Sequence, residues 1–403
     1  MSDDLGLFGE SDVRQDERPR GAKAARPTRR TRKRAVLWTV FALILAVGGV
    51  GAYYGYRTLS GIGSYEDYPG TGEADVVVEV KDGDPVTAIA SALEEKDVVA
   101  SARAFTEAGK GDSRVTAIQP GFYQMKTRMS GQAAVERMIA PGTKFVPLEV
   151  RGGNVLHDIT GVDGKVVKGI LSMLSEASCA ELDGVKKCVS PQELRDAAEN
   201  ADAAALGIPE WALGDFARSP REHRLEGLIV PGLYHPKPGA TATELLKGVI
   251  ETSTTRLQGY GIPGSTAATG FRPYEVLGIA SLVEKEGLRK DFGRISQVIY
   301  KRLSINQKLE FDSTVNYKLD RPIVTTSDED RNRSGPYNTY QVLGLPPTPI
   351  GSPSREAIAA AINPEPGEFL FFVKCQKDGT TCFSDSLDEH ERLAAKAREE
   401  GVF

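Results

Sequence analysis

Residues 35–56 are uncharged over 22 consecutive positions and follow directly on the basic run Arg29-Arg30-Thr31-Arg32-Lys33-Arg34. As a helix such a segment rises about 33 Å, enough to cross the hydrocarbon core of a bilayer. Trp38 near one end and Tyr53, Tyr54 and Tyr56 at the other fit the aromatic belts of the two interfaces, and the basic cluster holds the N-terminal side in the cytoplasm. A cleaved signal peptide has the same order of basic then apolar residues. Its apolar part, however, spans about 7 to 15 residues and ends at a small-x-small site, where this chain has bulky tyrosines. The expectation is a single-pass anchor, cell-membrane localisation, and a body on the extracytoplasmic side.

Charge is divided at the same point. Residues 1–34 hold ten Lys or Arg against six Asp or Glu, a net +4, and the remainder holds 40 against 49, a net −9. The tail, rich in Arg, Asp, Pro and Gly over residues 1–28, lacks the apolar content for a core and is expected to be disordered. The acidic body gives no reason to expect a nucleic-acid partner. With 403 residues the chain has room for two or three domains.

The four cysteines fit export. Cys179 and Cys188 bracket Asp183-Gly184, and Cys375 and Cys382 bracket Lys377-Asp378-Gly379, so each pair encloses a turn signal and suits a short-loop disulfide in an oxidising compartment. A structural zinc site is the alternative. The spacings are not C-x2-C, however, and with His157, His223, His235 and His390 as the only histidines no metal is expected.

Along the body, residues 57–74 read as a linker rich in Gly, Ser and acidic residues. Residues 75–80 alternate as a strand, 85–96 and 102–108 read as helices, 120–125 as a second strand and 131–139 as a helix, giving a compact unit over 75–142. The larger remainder, 143–403, mixes the two types, so the class is α+β. Residues 144–159 read as β and 194–216 as largely helical. Helices are expected at 242–259, 274–287, 292–303 and 387–399, with a hairpin from 369–373 to 381–383 across the second cysteine pair.

The chain has no G-x-S-x-G, S-x-x-K, H-E-x-x-H or P-loop motif, which removes serine acyl enzymes, zincins and nucleotide hydrolases. What stands out is Gly278-Ile279-Ala280-Ser281-Leu282-Val283-Glu284-Lys285-Glu286, an apolar helix pattern running into two carboxylates. A carboxyl held against apolar surface can keep its proton near neutral pH and donate it to a leaving oxygen; a helix end reaching solvent would look the same. Glu284 and Glu286 are about 200° apart on a helix, so only one can face a given cleft. Glu284 shares its face with Leu277, Ala280 and Gly287, whose small residues would let a sugar approach. The other face is apolar too, so periodicity does not choose between them. Downstream, Tyr, Asn and Pro-rich segments suit carbohydrate, which is read by aromatic faces and by hydrogen bonds to hydroxyls.

Taken in order, Leu225-Glu226-Gly227 with Pro231 and Tyr234, then Ala280 to Glu286, Asp312-Ser313-Thr314-Val315, Tyr337-Asn338-Thr339-Tyr340, Gly344-Leu345-Pro346-Pro347-Thr348-Pro349-Ile350 and Asn363-Pro364 resemble the YceG-like family of bacterial endolytic murein transglycosylases, over about residues 75–395. The resemblance implies that 75–142 is a LysM-like domain holding glycan strands and that 143–403 is catalytic. It makes Glu284 the catalytic residue. It also implies cleavage of the MurNAc-GlcNAc β-1,4 bond of nascent peptidoglycan to leave 1,6-anhydroMurNAc ends, which sets strand length. Glu226, Asp312, Tyr337, Asn338 and Thr339 become candidate substrate contacts. No cofactor is implied; the expected partners are glycan strands, the bacterial inner membrane, and peptidoglycan synthases or division proteins. The chain departs from the family at Gly287, where Thr is frequent, at Ser313, where Pro is common, and in an insert over 172–191. A non-catalytic wall-binding scaffold and a muramidase that hydrolyses the same bond share these residues and stay open at this point.

Overall fold

The computed structural model describes residues 29–61, 64–161, 163–319 and 326–402; the expected disordered tail, residues 1–28, lies outside them. Two compact units divide between Tyr65 and Glu66. The first holds α1 (Arg29–Gly61), one continuous helix whose segment Val36–Tyr56 is long and apolar enough to cross a membrane and is buried nowhere against protein.

The second unit opens with β1 (Asp75–Val80), α2 (Val86–Glu95), α3 (Ala102–Ala108), α4 (Ser113–Thr116), β2 (Gly121–Lys126) and α5 (Gly131–Ile139). β1 and β2 pair antiparallel, Asp75 opposite Lys126 and Val80 opposite Gly121. Alternation sends Val78, Val80, Tyr123 and Met125 to one face, where they meet Ile89 and Leu93 of α2, Phe105 of α3, and Val135 and Met138 of α5 in a small core of their own. Ser101 and Ser130 cap α3 and α5, accepting the N–H of Ala104 and Ala133, at 3.2 Å each.

The chain continues through β3 (Leu148–Val150), the short pair β4 (Ile159–Thr160) and β5 (Val166–Val167), α6 (Ile170–Ala177), the hairpin β6 (Ala180–Leu182) and β7 (Val185–Lys187), α7 (Pro191–Asn200) and α8 (Leu213–Arg218), and β3, α6, α7 and α8 give side chains to a second, larger core. After these come β8 (Gly232–Tyr234), α9 (Ala242–Gly259), α10 (Pro273–Glu286), α11 (Phe292–Ser304), α12 (Asp312–Asn316), α13 (Asp328–Asn332) and α14 (Arg355–Ile362). The hairpin β9 (Phe371–Lys374) with β10 (Thr381–Ser384) and the helix α15 (Leu387–Glu399) complete the described elements. The strands form five two-stranded sheets, and β3 pairs with the distant β8 rather than with a sequence neighbour.

Two readings from the sequence change. The β pattern over 144–159 is interrupted at Arg151-Gly152-Gly153-Asn154, a turn in which Arg151 N–H donates to Asn154 Oδ1 at 2.7 Å and Gly153 takes φ +77°. The helical reading over 194–216 stops at Asn200, and the chain turns helical again only past Pro209, a residue with no N–H to give to a continuing helix. Part of the stretch read as an insert also belongs to the core: Leu174 and Ala177 of α6 are 0% and 7% exposed.

The rest of that stretch has a distinct role. Cys179–Cys188 closes the base of the β6–β7 hairpin, and Cys375–Cys382 ties β9 to β10. The hairpin tip meets the small sheet reciprocally: Asp183 N–H donates to Asp75 Oδ2 and Asp75 N–H to Asp183 Oδ1, at 2.9 Å each. Gln124 of β2 bridges the two, donating to Asp75 Oδ2 at 2.9 Å and to the Glu181 carbonyl at 2.8 Å.

Candidate active site

α10 starts with Pro273 at its first turn, where the missing N–H costs nothing, and Glu275 reaches back to accept the Arg272 N–H at 2.8 Å. Every residue from Val276 to Val283 is buried, at most 1% exposed, so the helix is apolar all round because it is surrounded by protein. The expectation that Leu277 and Ala280 leave an open face for a sugar is therefore corrected: both are 0% exposed, packed into the core. Past Val283 the last turn, Glu284-Lys285-Glu286, comes up to half-burial. The approach to Glu284 is at the end of the helix.

Two loops close on that end. Ser354, which caps α14 by accepting the Ala357 N–H at 3.2 Å, gives its own N–H to Glu284 Oε2 at 2.9 Å. Gly152 lies against the other oxygen, and a Cβ built there would stand 2.2 Å from Glu284 Oε1. Lys285 Nζ donates to the Gly153 carbonyl at 2.6 Å, and the loops are laced together by Gly153 N–H to Ser352 O at 2.8 Å and Ser352 N–H to Asn154 O at 2.7 Å. One carboxylate oxygen is thus held by a backbone donor, and the other lies against a residue without a side chain. We expect Gly152→Ala to displace the Glu284 carboxyl and cut kcat by about 100-fold, the cost typical of a small misplacement of a catalytic group. Thermal unfolding should move by little, and a matched loss of Tm would instead mark a packing effect.

Glu286 turns toward α12, where Ser313 Oγ donates to its Oε1. Burial pushes this carboxyl up to about 7 and the neighbouring Asp312 charge adds to the shift, while the Ser313 hydrogen bond and Lys374 act against it. The two carboxyls of the motif therefore have separate surroundings.

The remaining residues singled out in the sequence gather around the same helix end. Asp312 accepts the Tyr340 hydroxyl at 2.7 Å and the Arg331 guanidinium at 3.3 Å. Asn338 donates to the carbonyls of Arg331 and Arg333 and accepts the Tyr340 N–H at 3.0 Å. Thr339 Oγ1 takes the Phe311 N–H at 2.9 Å and meets Thr314 Oγ1 at 2.9 Å, and the Tyr337 hydroxyl meets Thr348 Oγ1 at 2.8 Å. Tyr337, Asn338 and Thr339 are buried and bonded to protein, so they brace the loops that form the wall behind the site. Ile350 N–H donates to Ser281 Oγ at 3.1 Å, which fastens the Gly344 to Ile350 motif to α10.

Glu226 is 1% exposed. Its Oε2 accepts the Tyr317 hydroxyl at 2.8 Å and the Leu156 N–H at 3.2 Å, and Oε1 is buried with no hydrogen-bond partner among the described residues. Burial pushes it up to about 7 against the pull of Tyr317, the Leu156 N–H and Lys285. The Tyr317 hydroxyl also meets His223 Nδ1 at 2.8 Å; His223 Nε2 lies 2.8 Å from Lys318 Nζ, which pairs with Glu222 at 3.0 Å. Burial, helped by Lys318, holds His223 down to about 4. Sequence reasoning did not reach Gly152, Ser354, Tyr317 or His223. The Gly-Gly pair and a serine ahead of a helix were local signals, but their contact with Glu284 is made only by tertiary structure.

The YceG-like family model matches residues 78–396. The endolytic murein transglycosylase of Bacillus subtilis (strain 168) is 26% identical over 323 residues, 80% of this chain and 84% of that protein. The protein of the same name from Streptococcus pneumoniae serotype 2 (strain D39 / NCTC 7466) is 26% identical over 369 residues, 88% of this chain and 64% of that protein. A 2.6 Å crystal structure of a yceG-like protein from Listeria monocytogenes covers 79% of this chain and 99% of its own, with a TM-score of 0.52 and 23% identity, and shares the fold.

Proposed function

Because this chain belongs to the YceG-like family, we propose that it is a membrane-anchored endolytic lytic transglycosylase acting on nascent peptidoglycan, with Glu284 as its catalytic acid and base. The observation that carries this reading is the placement of Glu284: it ends a helix buried on every side, one oxygen on the Ser354 N–H and the other against Gly152. Such a carboxyl has a direction fixed by a backbone donor, as general acid–base work requires.

In the proposed reaction Glu284 gives its proton to the glycosidic oxygen between MurNAc and GlcNAc as the C1–O bond breaks. The C6 hydroxyl oxygen of the same MurNAc then bonds to C1, and its proton returns to Glu284. The products are a free GlcNAc hydroxyl and a 1,6-anhydroMurNAc end, with no water consumed. A single carboxyl performs both transfers, which fits the divergent surroundings of Glu284 and Glu286; hydrolytic glycosidases instead use a pair across the bond. The loops braced by Asp312, Tyr337, Asn338 and Thr339 form the proposed glycan wall, and Glu226 stands behind it. The small unit over 75–142 is proposed to hold the strand in the manner of a LysM module. In this proposal the apolar segment Val36–Tyr56 anchors the chain with its basic tail in the cytoplasm, and cleavage sets strand length near the point of synthesis.

The test is product mass. Un-crosslinked glycan strands incubated with the full chain in detergent should yield internal fragments with anhydro ends. Reducing ends would mean hydrolysis, and intact strands would mean a binding protein.

A further inference from the structure

We propose that the disulfide-closed β6–β7 hairpin gives this protein a preference for long strands: it pins the small unit to the body at a second point, so that a strand held by that unit is presented to Glu284 in one register. The inference rests on the reading of residues 75–142 as the strand-holding unit and adds to it the element that fixes its direction.

The hairpin is a strut with one end in the core and the other on the small sheet. Its base stands on the end of α6, where Ser175 and Ser178 are buried. Ser175 Oγ donates to the Val189 carbonyl at 2.7 Å, and Ser178 Oγ accepts the Val189 N–H at 2.9 Å. The tip is Asp183-Gly184, with φ +50° and +75°, the pair of positive values that a two-residue hairpin turn demands. From that turn both the N–H and the carboxylate of Asp183 reach Asp75, in the two reciprocal bonds of 2.9 Å. Asp75 is held in turn on its own sheet by Gln124 at 2.9 Å and Lys126 at 3.3 Å. Strand β7 is exposed along its whole length, and a two-stranded hairpin with so little burial is marginal in water. The Cys179–Cys188 bond makes it a persistent element by removing open alternatives.

The connecting chain attaches the small unit at the opposite end of β1 and β2. There Phe145 N–H donates to the Phe122 carbonyl at 2.9 Å, and a Cβ built on Gly121 would stand 2.7 Å from Lys144 Cε and 3.1 Å from His235 Nδ1. Asp75 pairs with Lys126, five residues along β2 from Gly121, or about 17 Å away at the rise of an extended strand. A unit fixed at one end can swing about the chain that leaves it, whereas one fixed at both ends holds a single direction. For a ligand that spans two sites, the effective concentration at the second depends on how narrowly the first is oriented. The strut therefore acts on strands long enough to reach both the small unit and Glu284, and leaves shorter ones unaffected.

The experiment is equilibrium binding of long un-crosslinked strands and of tetrasaccharides of the same repeat to the full-length chain in detergent, with Glu284→Gln as the parent so that binding is read without cleavage. Asp183→Gly keeps the positive φ of the turn and removes the carboxylate; Cys179→Ser with Cys188→Ser opens the base. Each should weaken long-strand binding by roughly 3- to 10-fold and leave tetrasaccharide binding unchanged. Combined, they should lose no more than the larger single loss, since both act through one contact. An unchanged long-strand affinity, or an equal loss for both lengths, overturns the proposal. If the cysteine variant does not fold, Asp183→Gly decides alone, with Gln124→Ala as the matching change from the other side of the contact. The parent separates the two levels. Equal affinity for long and short strands there removes the strand-holding role of the small unit and the strut with it, whereas a preference for long strands that survives in the variants removes the strut alone.

Discussion

Glu284→Gln is expected to lower kcat/KM for strand cleavage by about 1,000-fold or more, because general acid and general base assistance are each worth roughly 100- to 10,000-fold and in the proposed reaction one group supplies both. In free energy that is at least ~4 kcal/mol of barrier. The fold should survive: glutamine keeps the length of the side chain, and its carbonyl can still accept the Ser354 N–H that Glu284 Oε2 accepts at 2.9 Å. Glu286→Gln is the informative partner variant. Its carboxyl faces Ser313 and α12 rather than the loop at Gly152, so the change should cost less than about tenfold. The measurement is initial rate on un-crosslinked strands, with Tm recorded on the same samples. If Glu286→Gln were the inactive variant and Glu284→Gln the active one, the assignment would be reversed.

How much of this was legible in the sequence depends on the range of the forces involved. Strand and helix periodicity located β1, β2, α2, α3, α5, α9, α10, α11 and α15, because each carries its own apolar face or alternation. The β3–β8 pairing was not legible, since Leu148 and Tyr234 are joined by register across many intervening residues and no local rule specifies it. The site divides in the same way. Glu284 was singled out through ordered motifs, but its surroundings are supplied by Gly152 and Ser354, distant residues with ordinary side chains or none. The expectation of an open, sugar-facing side on α10 failed for a definite reason. A helix that is apolar on both faces gives period analysis nothing to choose with, and here both faces are core. For Tyr337, Asn338 and Thr339 the motif marked an important place, while the bonds they make show that place to be structural support for loops.

The second large effect is on stability and turns on Glu226. Its carboxyl is raised from 4.5 to about 7 in the fold, so folding favours the neutral form. A group whose folded value is raised contributes its stability below the unfolded value, near 4.5, and loses it as pH rises through 7. For a side chain that is 1% exposed no solvent screening reduces the effect, and the span corresponds to ~3 kcal/mol. His223 acts in the opposite sense. Held down to about 4, it contributes stability above its ordinary value of 6.5 and loses it as pH falls through 4, so between about 4.5 and 6.5 it offsets Glu226, while Glu286, also raised to about 7, adds a fall of its own to the wild-type curve. The difference between wild type and Glu226→Gln removes His223 from the comparison. Glutamine has the shape of the neutral acid and no charge to bury, so near pH 4.5 the two proteins should unfold at similar temperatures. By pH 8 the variant should be the more stable by ~3 kcal/mol, or roughly 4 °C for a body of this size. Thermal unfolding of both proteins at half-unit steps across that range measures it. A pH-independent gap between the two curves would mean that Glu226 keeps one protonation state throughout, and its burial would then act on stability through packing alone.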